Sequence, residues 1–286
     1  MRALVTGAGG LLGRALVPVL RQAGHEVRGL THRDADVTDY QALSLSIREF
    51  RPDWVMHLAA YTRVDDCERH PDRARVNEVG ARNAALAAAG SEAAILLIST
   101  DYVFDGSAAV PYREPDPTGP LNVYGVSKLD GERAVREVHP RPLIVRSSWF
   151  YGPLGSNFVD SMLDKARAGE ALRVVDDQRG SPTLTTDLAE AVVLLVATAA
   201  FGTYHCTGSG DCTWYDLAAH AFEVAGLKPR LGRTDSASFA APARRPAYSV
   251  LSNALYEQVT GHRMPHWRDA VSRHVRATAG PARVAS

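Results

Sequence analysis

Cysteine is scarce in this chain, with three residues in 286, at positions 67, 206 and 212. They match no metal-ligand spacing and cannot build the framework of a disulfide-stapled secreted domain. This usage suits a reducing cytoplasm, with each thiol in a structural role. Long apolar runs are also missing. Nothing approaches the ~20 consecutive apolar residues of a membrane span, and the alanine-rich pieces near 81–90 and 187–200 are charged or too short. The N-terminus, Met1-Arg2-Ala3-Leu4-Val5-Thr6, has no extended apolar h-region and opens as a strand, not as a signal peptide. An excess of either charge is absent, because 32 Lys and Arg balance 32 Asp and Glu. That argues against a nucleic-acid partner held by a large basic surface. No internal repeat or low-complexity tract is present. The expectation is a cytoplasmic protein with neither membrane nor nucleic-acid partner.

What remains is an ordinary globular composition, 45% hydrophobic and 22% charged, long enough for one large or two modest domains. Ala3 to Val5 leads into Thr6-Gly7-Ala8-Gly9-Gly10-Leu11-Leu12-Gly13, and Arg14 to Ala23 then shows helical periodicity. Strand, glycine turn and helix in that order suit a dinucleotide. Glycines allow a tight turn and close approach of a pyrophosphate, and the helix N-terminus offers its free N–H groups. The spacing Gly7, Gly10, Gly13 differs from G-x-G-x-x-G but meets the same need, with Leu11 and Leu12 between. A second strand, Glu26 to Leu30, ends in Thr31-His32-Arg33. NAD-preferring sites often place an acid there for the ribose 2′-hydroxyl. Arg33 suits a 2′-phosphate instead, so NADPH is the expected donor and NADH the alternative. The plain alternative for Arg33 is a solvated loop charge. Asp36 follows as a candidate adenine contact and Val37 as a further cofactor contact, with Thr38 or Asp39 as the cap of a helix from Tyr40. Trp54 to Leu58 is another strand. Ala59, Ala60 and Tyr61 follow, small enough at first to let a cofactor pass. A helix over 71–89 holds Asn77, read as a polar brace.

The most informative stretch is Ile95 to Glu132. Ile95 to Ile98 reads as a buried parallel strand, with Ser99, Thr100 and Asp101 at its C-terminal end. Ligands of open α/β sheets sit at that end. Tyr124 and Lys128 are one helical turn apart. A phenol titrates near ~10, and a fixed ammonium beside it favours the phenolate, making the phenol a usable acid near neutral pH. By itself Tyr-x-x-x-Lys is also ordinary helix surface, and Thr100 an ordinary cap.

Beyond Leu143 to Arg146, another strand, a second domain is expected near Tyr151. The division is 1–150, a dinucleotide-binding domain, and 151–286, a substrate domain, with a helix near 187–200 returning to the first. Asn157 to Ala168 reads as a helix, Arg173 to Asp176 as a strand and Asp177 to Thr183 as a loop. Asp187 to Thr198 is a helix, Gly202 to Cys206 a strand and Trp214 to Ala225 a helix. Residues 227–250 read as irregular. A final helix follows Trp267, and Ala277 to Ser286 reads as a frayed tail. The loop arginines Arg179, Arg244 and Arg245 are candidate pyrophosphate partners. The fold class is α/β, a Rossmann-like doubly wound parallel sheet with a smaller C-terminal α/β domain.

Taken together, these strings resemble the extended short-chain dehydrogenase/reductases, and within them the dTDP-4-dehydrorhamnose reductase family. The matching pieces are the three glycines, Ala59-Ala60-Tyr61-Thr62-x-Val64-Asp65, Ser99-Thr100-Asp101-Tyr102-Val103-Phe104 and Pro120-Leu121-Asn122-x-Tyr124-Gly125-x-Ser127-Lys128. They continue through Arg146-Ser147-Ser148-Trp149, Asp177-Gln178-x-Gly180-x-Pro182-Thr183, Tyr204-His205, Thr213-Trp214 and Arg245-Pro246-x-x-Ser249-x-Leu251. The likeness covers essentially the whole chain. It implies NAD(P)H-dependent reduction of the C4 ketone of a nucleotide-activated deoxysugar. It makes Tyr124 the acid, Lys128 its tuning partner and a ribose contact, Thr100 the donor to the carbonyl oxygen, and Asp101 an orienting group. It makes Thr62, Val64 and Trp149 substrate contacts, beside Arg245 as the candidate pyrophosphate partner. A dehydratase of the same superfamily needs a second acid after Thr100-Asp101, where Tyr102 stands. An epimerase, a reductase of another nucleotide 4-keto sugar, and a non-catalytic subunit resembling the methionine adenosyltransferase β subunit stay open. Some relatives dimerise through a metal held by an acid after the glycine turn. Arg14 and Ala15 stand there, so no metal is expected, and the chain is read as monomer or homodimer.

Overall fold

The computed structural model describes Met1 to Thr278. The N-terminal part alternates strand and helix: β1 (Arg2–Thr6), α1 (Leu11–Gln22), β2 (Glu26–Leu30), α2 (Tyr40–Phe50), β3 (Trp54–His57), α3 (Val64–Arg69), α4 (Pro71–Ala89), β4 (Ala94–Thr100), α5 (Val123–Val138) and β5 (Pro142–Ser147). It continues with β6 (Phe150–Tyr151), α6 (Phe158–Arg167), β7 (Leu172–Val175), β8 (Arg179–Gly180), β9 (Thr183–Leu184), α7 (Thr185–Ala197) and β10 (Gly202–His205). The last elements are β11 (Cys212–Thr213), α8 (Trp214–Ala225), β12 (Leu231–Thr234), α9 (Ser236–Phe239), α10 (Ala254–Thr260) and α11 (Trp267–Thr278).

Six strands form one parallel sheet in the order β10-β5-β4-β3-β1-β2. Its strands are apolar on both sides because helices cover both faces. Val5, Met56, Leu96 and Val145 face α1 and α7 through Leu12, Leu16, Leu188 and Val192. Leu4, Val55, Ile95 and Ile144 face the other way, onto Leu43, Ile47, Ala84, Ala88 and Val135. Alternate strand residues thus feed two cores. The chain reverses direction across the sheet between β1 and β3. The loops after these strands open a crevice of the kind that binds ligands in such folds.

A third core joins Val159, Leu163, Val174, Leu217, Phe222, Trp267 and Val271 beside the sheet. A boundary at 150/151 is simpler than the packing. Helix α7 lies on α1, β10 pairs with β5, and Tyr256 and Met264 enter the first core. Residues 227–250, read as irregular, contain β12, parallel to β7, and the single turn α9. The stretch 177–183, read as a loop, holds β8 against β11 and the start of β9 beside β6. Two-residue pairings carry no periodicity, so only their distant partners reveal them. Leu58 falls just beyond β3. Asp39 caps α2, accepting from the backbone N–H groups of Gln41 and Ala42. Ala277 and Thr278 end α11, and the rest of the expected tail lies outside the described residues.

Candidate active site

At the tip of β1 the glycines make a turn that no larger residue fits. A Cβ on Gly7, whose φ is +68°, would lie 2.6 Å from the backbone nitrogen of Ala59, and one on Gly13 would lie 2.3 Å from the carbonyl oxygen of Gly7. Gly10 precedes α1 as its N-cap and offers no side chain to cap it. The first N–H groups of α1, from Leu11, Leu12 and Gly13, are therefore left for an anion. A dinucleotide pyrophosphate fits this cradle. Arg14 turns from it, donating to the carbonyls of Gly9 and Leu154.

A cavity of about 430 Å³ opens beside the turn. It gathers Gly10, Leu11, Leu12, Ala60, Thr62, Val64, Thr100, Asp101, Tyr124, Lys128 and Trp149 from five separate stretches of chain. Gly7, Gly13 and Ala59 form the backbone packing behind it. Tyr61 turns aside, its hydroxyl on the Asp66 carboxylate. Its backbone is clamped by Asn77, which accepts from the Tyr61 N–H at 2.7 Å and donates to the Tyr61 carbonyl at 3.1 Å. Asn77 also donates to Ser127, so the brace ties the β3 loop to α5. Arg33 is exposed beyond β2, and Val37 is buried below it. Asp36 accepts from the backbone and hydroxyl of Thr38.

The titratable groups are tuned mainly by burial. Thr100 ends β4 and caps one turn of 3₁₀ helix, accepting from the Tyr102 N–H and donating to Asp101 at 3.0 Å. Burial pushes the Asp101 carboxyl up to about 7, against the opposing pull of the Ser249 and Thr100 hydroxyls. Protonated Asp101 can reverse the pair and release the Thr100 hydroxyl proton for a ligand. Tyr124 is partly exposed to the cavity, yet the surrounding protein raises its phenol above the ordinary value. Thr100 acts downward and Asp101 upward. The expected lowering by Lys128 is not met. The Lys128 ammonium donates to the Ile98 carbonyl at 2.6 Å. Burial brings Lys128 itself down to about 8, with Glu132 opposing. Glu132 is fully buried beneath it, between Arg146 and Ser99.

Arg245 is engaged within the protein. Its guanidinium meets the Asp65 carboxylate in two bonds of 2.9 Å, and Asp65 also accepts from the Ala243 N–H. It lies outside the 430 Å³ cavity, between two neighbouring ones of about 610 and 390 Å³ that share Gln178 and Phe239. Arg179 is paired with Asp211, while Arg244 is exposed on the larger cavity. Sequence reasoning missed Trp214. It lines the 430 Å³ cavity and the smaller neighbour, stacking on Trp149 at 3.6 Å between centroids. Its place in Thr213-Trp214, a motif without an assigned role, was the only signal. Among the described residues no helix is long and apolar enough to cross a membrane, and no group of His, Cys, Asp or Glu is arranged to hold a metal ion.

Known proteins share this architecture along the full chain. A dTDP-4-dehydrorhamnose reductase of Streptomyces griseus is 44% identical over 98% of this chain and 95% of its own. A dTDP-4-keto-6-deoxy-D-glucose reductase of Streptomyces niveus is 39% identical over 95% and 96%. The crystal structure of a dTDP-4-dehydrorhamnose reductase of Bacillus anthracis in complex with NADP superposes with a TM-score of 0.93. It is 37% identical and covers 96% of this chain and 99% of that one. The RmlD substrate binding domain family matches residues 1–279, and with these relatives it makes the chain a member of the dTDP-4-dehydrorhamnose reductase family.

Proposed function

We propose that this protein uses NADPH to reduce the C4 ketone of a dTDP-activated 6-deoxysugar, with dTDP-4-dehydro-L-rhamnose as substrate and dTDP-L-rhamnose as product. The observation that carries this reading is the convergence of Thr100, Asp101, Tyr124, Lys128 and Trp149 on one cavity beside an uncapped glycine turn. Bound NADPH supplies the hydride for the carbonyl carbon. The α1 N-terminus and Gly10 to Gly13 hold its pyrophosphate, Arg33 its 2′-phosphate, Asp36 and Val37 its adenine, and Lys128 its nicotinamide ribose. Ala59, Ala60 and Tyr61 shape its passage.

Thr100 donates to the C4 oxygen, where negative charge develops, so its contribution is larger in the transition state than in the ground state. Tyr124 gives its phenolic proton to the same oxygen. A phenol whose ordinary value is raised by burial stays protonated until that charge appears. Lys128, deep beneath it, offers a proton source with a pKa of about 8. Thr62, Val64 and Trp149 wall the sugar. The nucleotide extends past Trp214 toward the cavities that share Gln178 and Arg245.

The test is oxidation of NADPH in the presence of dTDP-4-dehydro-L-rhamnose, with wild type beside Tyr124→Phe. Loss of the acid is expected to cut kcat by about 10²–10⁴ while NADPH affinity stays within twofold. A Tyr124→Phe enzyme retaining a third of wild-type kcat would remove Tyr124 from the chemistry. The Streptomyces niveus relative, a dTDP-4-keto-6-deoxy-D-glucose reductase, favours that sugar as a second substrate, and product NMR distinguishes the two.

A further inference from the structure

The wall that carries Trp149 is built in an unusual way. Trp149 has φ +49°, a left-handed conformation that costs a bulky residue about 1–2 kcal/mol. It is held there by the Thr183 N–H on its carbonyl and by the pairing of Phe150 with Thr183. Its indole is stacked on Trp214 with an interplanar angle of 6°. Trp214 cannot retreat freely, since its own N–H donates to Gln178 and Phe158 packs behind it at 4.7 Å. On the other face of Trp149 lies Gly180. A Cβ there would sit 2.5 Å from Cε2, with Cζ2 and Nε1 at 2.7 and 2.8 Å. Cζ2 and Nε1, two of the three ring atoms bonded to Cε2, lie slightly farther away than Cε2 itself, so the approach is onto the ring face and not its edge. Gly180 is not at positive φ, so its backbone suits any residue. The indole, not the turn, demands glycine.

We infer that Gly180 is a positioning residue for substrate: the absence of a side chain lets Trp149 lie flat between it and Trp214, and this clamp sets the wall against which the sugar is held. The inference rests on the reading of the cavity as the sugar site. A methyl group at 180 pushes the Trp149 ring onto a partner already in van der Waals contact, so the pair must shift into the cavity or unstack.

Gly180→Ala, Trp149→Ala and the double variant decide the matter. Stacked indoles give an exciton couplet in far-ultraviolet circular dichroism, and among the described residues only Trp149 and Trp214 form a tryptophan pair. Gly180→Ala is expected to abolish or reshape the couplet and raise the KM for the nucleotide sugar roughly tenfold or more, with the KM for NADPH unchanged. In the Trp149→Ala background the added methyl meets no indole, so the double variant is expected to match Trp149→Ala in both KM and melting temperature. An unchanged couplet or unchanged sugar KM in Gly180→Ala overturns the inference. So does an equal penalty from Gly180→Ala with and without the indole, a comparison of melting temperatures that holds even if the single variant folds poorly. Couplet and melting temperature need no substrate. A wild type inactive on 4-keto nucleotide sugars would sink the reductase reading separately.

Discussion

Asp101 is the residue where burial and hydrogen bonding contend most directly. Its carboxyl, which ordinarily titrates near 3.8, is raised to about 7 in the fold by burial. The folded state therefore holds a proton that the unfolded chain releases. This contribution to stability is fully present below pH ~4, is lost as pH rises toward ~7, and is absent above. Asp101→Asn keeps a neutral side chain at every pH. The variant is expected to match wild type near pH ~4 and to gain relative stability up to pH ~7, by a few kcal/mol at most. Thermal melts across that range check it, and a constant difference would deny the shift. At Arg33 the question is selectivity. The side chain is exposed after a strand end with no acid at Leu30 or Thr31. Arg33→Ala is expected to raise the KM for NADPH by roughly tenfold and leave that for NADH alone, read from paired steady-state assays.

Among elements, the Asp65–Arg245 pair stands out because it ties α3, next to the Thr62–Val64 wall, to the segment after α9. Asn122, at the start of α5, holds the same segment by donating to the Arg244 carbonyl at 2.8 Å. Segments far apart in sequence thus meet beside the cavity that Thr62 and Val64 line. The pair is partly exposed, with side-chain accessibilities of 36% for Asp65 and 19% for Arg245, so screening limits its worth to about 1 kcal/mol. Asp65→Asn is expected to lower the melting temperature little and to raise the nucleotide-sugar KM severalfold without changing kcat. An equal effect on NADPH binding would show that the clasp supports the whole crevice instead.

On the scale of the molecule, the N-terminal sheet is incomplete without the C-terminal half. Leu188, Val192, Leu195, Tyr204, Tyr256 and Met264 belong to the core shared with α1 and the sheet. Without them β5 has a bare edge and α1 loses its partner helix α7. A fragment of residues 1–150 is therefore expected to show no cooperative unfolding and no NADPH binding, whereas the whole chain binds the cofactor. A fragment that melts cooperatively and binds NADPH would show that the returning elements are accessory. This measurement also tests the division into 1–150 and 151–286, which sequence reading placed by turn residues and not by packing.

The local signals were strong where one stretch of chain carries its own reason. Gly7, Gly10 and Gly13 mark a turn that admits no Cβ, Ile95 to Ile98 mark a buried strand, and the Tyr124–Lys128 spacing puts both on one face of α5. The narrow strings Ser99 to Phe104 and Asp177 to Thr183 carried the family. Other features depend on who meets whom. Lys128 binds the Ile98 carbonyl and does not lower Tyr124, because the burial that brings them together also sets their charges. Arg245 has Asp65 as its partner, a residue 180 positions away. Trp214 closes the cavity because α8 packs its first residue on Trp149. Periodicity and turn chemistry are local and can be read along one dimension. Desolvation, ion pairing and ring stacking are pairwise and long-range, and only the tertiary structure chose those pairs.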